Sequence, residues 1–117
     1  VDDMTNREAI AEDIEPYSLS ENSVEKSFLD ACNRFQMIAS IDDTYTSDML
    51  KPVAMASMFC LNRVRSLASE NIGGISQAFD VRKIDKMITS IAQNAGLSPN
   101  IVLADQSENI VSAVNVW

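Results

Sequence analysis

Any chemistry in this chain must come from a short inventory of side chains. Histidine is absent from all 117 residues, which removes the commonest general base and the commonest metal ligand together. Ser-His-Asp and Cys-His nucleophiles are therefore excluded. The densest acidic group is Asp42-Asp43 with Asp48. Three carboxylates can attract a cation, but the glycine and closing glutamate of a calcium loop are missing. The group reads as a solvated acidic loop, and Glu12-Asp13 with Glu15 reads the same way. Lys51 and Lys86 stand in no pattern that marks a depressed pKa. Gly73-Gly74 lacks a following Gly-Lys-Ser/Thr and a preceding buried strand, so it is not a phosphate loop. The expectation is no enzyme, no catalytic residue, no metal, no cofactor and no small-molecule substrate.

The remaining reactive types have structural readings. Cys32 and Cys60 are the only cysteines. Neither belongs to a Cys-x-x-Cys pair, and each lies in an apolar helical pattern, so both are expected as reduced core thiols of a cytoplasmic protein. Met49, Met55 and Met58 read as gap-filling core residues. Arg82, Lys83 and Lys86 line one side of a helix, with Arg63 and Arg65 on another. That arrangement suggests a helix-turn-helix surface, but the connector over 69–79 is far longer than the three- or four-residue turn of such a motif. The formal charge is −8, and phosphate neutralisation dominates affinity for duplex DNA. Nucleic acid is not expected as the main partner.

Charge is unevenly spread. Residues 1–50 hold twelve acids and three bases, whereas residues 51–95 hold six bases and three acids. The plain reading is solvation of separate helices. The sharper one is complementary edges on identical subunits, which favours head-to-tail packing. The chain has the length of one domain and near-average proportions of apolar (46%) and charged (22%) residues. The longest apolar run, 53–61, is interrupted by Ser57 and is too short to span a bilayer. No basic region followed by an apolar stretch marks a secretory signal, and no membrane association is expected.

The elements that would position these residues are helical. Thr5-Asn6-Arg7-Glu8 has capping-box spacing, and Ala9, Ile10 and Ile14 mark a short helix ending before Pro16. Residues 1–4 read as a flexible start, with Met4 as the natural first residue. Ser18-Leu19-Ser20-Glu21 opens a second helix striped by Val24, Phe28, Cys32 and Phe35. Residues 36–46 read as a loop whose Met37, Ile38 and Ile41 fold back onto the core. A third helix, complicated near its start by Pro52, is apolar on nearly every face over 53–61, as in a helix surrounded by others. Val64, Leu67 and Ala68 extend its buried stripe. Gly73-Gly74 frees the backbone for a turn, and Ile75, Gln77 and Phe79 alternate like a short strand. Asp80 caps a fourth helix carrying Ile84, Met87, Ile88, Ile91 and Ala95, with Gly96 as its left-handed stop and Leu97 supplying the contact after it. Ser98-Pro99-Asn100 is a turn or a weak helix start. The expected fold is all-α: one domain over 1–117, four main helices around a central apolar helix, a short extended hairpin or strand pair, and an extended tail over 98–117.

That tail is the most informative stretch. It finishes Ile110-Val111-Ser112-Ala113-Val114-Asn115-Val116-Trp117, rich in β-branched residues and carrying the only tryptophan. One reading packs Val114 and Trp117 onto the chain's own helices. The other is strand addition to a neighbouring subunit, because a lone strand cannot satisfy its own backbone. Gly73, Gly74, Ile75, Phe79, Ile110, Val111, Val114, Val116 and Trp117 are the expected subunit or partner contacts.

The order of parts also resembles a known family. The capped helix, Ser20-Glu21-Asn22-Ser23-Val24-Glu25-Lys26-Ser27-Phe28-Leu29-Asp30-Ala31, the Tyr45-Thr46 loop before a long apolar helix, Gly73-Gly74-Ile75-Ser76-Gln77-Ala78-Phe79-Asp80 and Asn115-Val116-Trp117 together resemble small helical proteins of the head-to-tail region of tailed bacteriophages and prophages, especially of Bacteroides-type hosts. These look related to head–tail connector, or adaptor, proteins. The resemblance implies a homo-oligomeric ring protomer beneath the portal, in contact with portal and tail proteins. It implies a virion component assembled in the host cytoplasm, with 73–79 and 110–117 serving contacts. The alternative from a different class is a small cytoplasmic regulatory binding module with a protein or nucleic acid partner.

Overall fold

The computed structural model describes residues 3–70 and 81–103. Segments 71–80 and 104–117 lie outside the described residues, and with them the expected hairpin, the expected Asp80 cap and all nine expected contact residues.

Helix formation starts at Thr5. Its backbone is extended, its hydroxyl accepts from the Glu8 N–H, and the Glu8 carboxylate accepts from the Thr5 N–H at 2.9 Å. This capping box opens α1 (Asn6–Ile14) and satisfies two donors that no helix can satisfy for itself. The next donors are met by the loop before the third helix. Asn6 N–H donates to the Asp43 carbonyl at 2.9 Å and Arg7 N–H to the Ile41 carbonyl at 2.8 Å, while Tyr45 N–H donates to the Met4 carbonyl at 2.8 Å. Thr5 and Thr44 form an isolated antiparallel bridge. Met4 is thus held by its backbone.

α2 (Glu21–Arg34) is capped by Ser20, whose hydroxyl accepts from the Ser23 N–H. Phe28, Ala31 and Cys32 are buried, with Val24 and Phe35 half-buried beside them. The helix closes in a Schellman motif: Met37 N–H donates to the Cys32 carbonyl at 2.9 Å and Gln36 N–H to the Asn33 carbonyl at 3.1 Å. Gln36 takes the left-handed position at φ 55°, where glycine is usual. In the loop that follows, Met37 and Ile41 pack inward as expected, but Ile38 is fully exposed at 103%. The left-handed residue redirects the chain, so alternate residues after it face opposite ways.

A 3₁₀ turn (Ser47–Met49) leads directly into α3 (Leu50–Glu70). Pro52 falls inside the first turn, where its missing N–H has no intrahelical acceptor to lose, so it neither delays nor kinks the helix. From Val53 to Leu61 every residue is buried except half-buried Phe59. α3 packs against α1, α2 and α4. Val64 continues the buried stripe, but Leu67 is exposed at 37%, correcting the expectation that it lies inside. α4 (Val81–Ala95) buries Ile84, Ile88, Ala92 and Ala95 against α3, with Met87 and Ile91 at the margin. It ends in a second Schellman motif, with Leu97 N–H donating to the Ala92 carbonyl at 2.7 Å and Gly96 N–H to the Gln93 carbonyl at 3.2 Å; Gly96 has φ 75°. A 3₁₀ turn (Pro99–Ile101), capped by the Ser98 hydroxyl, then brings Val102 into the core at 4% exposure.

The two Schellman motifs make paired expectations. Gly96→Ala meets no steric obstacle, since an added Cβ has nothing within 4 Å, so its cost is backbone strain alone. It should lower stability by about 1 kcal/mol. Gln36→Gly relieves the same strain and should raise stability by up to about 1 kcal/mol. Urea denaturation of the two variants beside the parent chain checks both signs.

Candidate functional site

The acidic groups singled out from sequence have different fates. Asp42 accepts from Arg7 Nε at 3.1 Å, and Asp43 Oδ2 accepts from the Ser40 N–H at 3.0 Å. These carboxylates organise the loop that docks on α1. Arg7 also reaches Glu25 at 3.0 Å, tying α1 and the loop to α2, and both carboxylates raise its pKa. Among the described residues no group of three or more His, Cys, Asp or Glu side chains is placed to hold a metal ion.

Asp13 departs from its expected role as a solvated acid. It is half-buried, and its Oδ2 lies 2.9 Å from the Ser57 hydroxyl. Ser57 is wholly buried in the apolar middle of α3, and its hydroxyl is also 3.0 Å from the Val53 carbonyl. One proton serves two acceptors, and the charged one is the stronger. Loss of water pushes the Asp13 carboxyl up; the Ser57 hydrogen bond pulls it partly back, and the charge of Glu12 adds to the rise. Tyr45 is pushed up by burial and then by the charge of Asp13. Sequence reasoning missed this joint. Its only signal was Ser57 interrupting an apolar run, with an acid on a neighbouring helix. Ser57 is sealed in the core, and the pair fastens α1 to α3. The other buried polar residue, Asn6, donates from Nδ2 to the Ser40 carbonyl at 3.0 Å and leaves its Oδ1 unpartnered.

The other candidates keep their structural readings. Cys32 and Cys60 are free and buried, and burial pushes both thiols up, partly offset at Cys60 by the Ser27 hydroxyl. Met49, Met55 and Met58 are core residues at 6% exposure or less. Lys51, Arg63, Arg82, Lys83 and Lys86 are exposed. Arg65 Nε donates to Asp85 at 2.7 Å, which lays the start of α4 beside the later turns of α3. Arg34 stacks on the Phe59 ring at 5.3 Å, joining α2 to α3.

The feature with ligand-binding character is a small apolar pocket where α1 ends and α2 begins. Its volume is about 170 Å³. Ala11 and Ile14 of α1, Val24 of α2, and Tyr17 and Leu19 of the connecting turn form its walls, with Arg7 at its mouth. Ser18 and Glu21 also line it, and its small, largely apolar interior suits a single hydrophobic side chain better than a drug-sized ligand.

Fold and site together define a four-helix domain with an apolar side-chain pocket and charged outer faces. The chain belongs to the Family of unknown function (DUF6706), whose model matches residues 4–117. No curated protein and no solved structure matches. Among the described residues no helix is long and apolar enough to cross a membrane.

The Asp13–Ser57 joint predicts a pH dependence of stability. Because folding raises the Asp13 pKa, its favourable contribution is fully present below the ordinary carboxylate range and is lost as pH rises through the raised value. At neutral pH the ionised group costs stability. Asp13→Asn should therefore melt above the parent chain at neutral pH, with the gap closing as the solution is acidified. Circular dichroism melts at neutral and acidic pH read this directly. A lower melting temperature at neutral pH would mean that the charged bond to Ser57 outweighs the lost hydration.

Proposed function

We propose that this protein is a structural assembly subunit: a head–tail connector (adaptor) protomer of a tailed bacteriophage or prophage, forming a homo-oligomeric ring below the portal and acting as a virion component. It performs no catalysis. Residues 73–79, as a short extended hairpin or strand pair, and the extended segment 110–117 supply contacts to the next copy and to portal and tail proteins.

The observation that carries this reading is the division of charge along α3. Asp42, Asp43 and Asp48 gather where α3 begins, beside the start of α1, and all three are exposed. Arg63 and Arg65 stand thirteen and fifteen residues further along α3 than Leu50, roughly 20 Å at helical rise. The Arg65–Asp85 contact brings Arg82, Lys83 and Lys86 of α4 to that same end. Lys51 also stands at the acidic end and Glu70 at the basic one, but a protomer with an excess of acid at one end and of base at the other is complementary to a copy of itself displaced along one direction. Such head-to-tail contacts close into rings when the rotation permits. The sequence resemblance to connector proteins supports the same arrangement.

Two measurements on the full chain test it. Self-association followed by sedimentation should weaken as salt is raised, because exposed charges are screened over roughly 10 Å at 0.1 M ionic strength. Trp117→Ala should weaken association while leaving helix content and melting temperature close to the parent values. A large drop in melting temperature would instead put Trp117 in the protomer's own core, and a salt-independent monomer would end the assembly reading.

A further inference from the structure

We propose that the apolar pocket between α1 and α2 is the seat for Trp117 of a second copy of this chain. The inference rests on the assembly reading above and names the surface that receives the segment.

The first argument is size. The pocket holds about 170 Å³, and an apolar cavity of roughly 150 Å³ is enough to bind benzene. One aromatic ring system fits, its edge at the open mouth, whereas a drug-sized ligand needs about 300 Å³ or more. The second argument is lining. Aliphatic walls from Ala11, Ile14, Leu19 and Val24 favour an apolar anchor over a charged one. At the mouth, Arg7 is already engaged by Asp42 and Glu25, so it demands no anion from the occupant. The Ser18 hydroxyl and Glu21 carboxylate also line the pocket. Both can accept a hydrogen bond, and an indole N–H is a donor only.

The third argument is supply. The chain has one tryptophan, and none of the side chains of residues 110–117 is ionisable. The described aromatics are already committed to the body: Phe28 is buried, and Tyr17, Phe35, Tyr45 and Phe59 pack against the core. Tryptophan is among the residues enriched at interface hot spots, which sit in well-packed, desolvated pockets. The end of α1 meets the middle of α3 through Asp13 and Ser57, so the pocket lies between the acidic and basic ends, and seating Trp117 there adds a fixed point beside the charge contact.

The experiment uses the full chain and its single tryptophan as the reporter. Ala11 is exposed on α1, so Ala11→Phe and Ala11→Glu alter the pocket, one by filling it and one by charging it, without entering the core; circular dichroism verifies the fold of each. In the parent chain, Trp117 emission should move to shorter wavelength as concentration rises through the association range. Both Ala11 variants should keep the emission of a water-exposed indole and associate more weakly by roughly tenfold or more. If Trp117→Ala weakens association while both Ala11 variants match the parent, the pocket is overturned and the assembly role of the segment stands. If Trp117→Ala changes nothing, the segment reading falls and takes the pocket with it. A concentration-independent blue-shifted emission that Ala11→Phe abolishes would seat Trp117 in its own chain's pocket, which overturns the second-copy assignment.

Discussion

The structure depends on a helix that cannot face water. From Val53 to Leu61 α3 is apolar on every side apart from Ser57, and its burial needs neighbours all around it. Three helices answer: α1, α2 and α4 each pack on α3. An amphipathic helix needs only one partner for its stripe, so the three outer helices are satisfied once they reach α3, and their other faces are left to solvent. The layout is a hub with three spokes, and burial of apolar surface from water drives its closure.

A hub of this kind leaves the outer helices free to slide or rotate unless something directional fixes them. Fixed contacts come from polar groups. Asp13 reaches Ser57 in the hub itself, Asp85 grips Arg65 at the far end, and Arg34 covers the Phe59 ring. The loop before α3 supplies its carbonyls to the first N–H groups of α1. Apolar burial supplies most of the driving force and is indifferent to small shifts in register; the polar contacts select one register from many. The raised pKa of Asp13 is the cost of placing such a contact inside the core.

Helices and their ends were legible because their signals are local. The Thr5–Glu8 capping box, the Ser20 cap, the stripe through Phe28 and Cys32, and Gly96 as a left-handed stop each need only a few neighbouring residues to be recognised. Pro52 was ambiguous in sequence because its effect depends on where the helix begins, and the preceding 3₁₀ turn settles that. Ile38 and Leu67 were misjudged for a common reason. Periodicity carried each inward, but Gln36 resets the direction of the chain ahead of Ile38, and α3 near Leu67 has run past part of its cover. The Asp13–Ser57 joint was not legible, since it joins residues 44 positions apart and no local pattern announces a pair of that kind. The pocket was equally hidden: Ala11, Leu19 and Val24 give no signal until the turn at Tyr17 folds them together.

The described body buries most of its apolar stripes, leaving Leu29, Ile38, Leu50 and Leu67 exposed. The buried faces of α1, α2 and α4 all meet α3, and Val102 closes the far side after the last turn. What the described core leaves open is a pocket the size of one ring and a division of charge from one end of α3 to the other. Neither of these stabilises an isolated protomer in an obvious way: an open apolar pocket loses contacts, and segregated like charges repel one another. An apolar side chain entering the pocket would restore those contacts, and an opposite charge set against either end would relieve the repulsion.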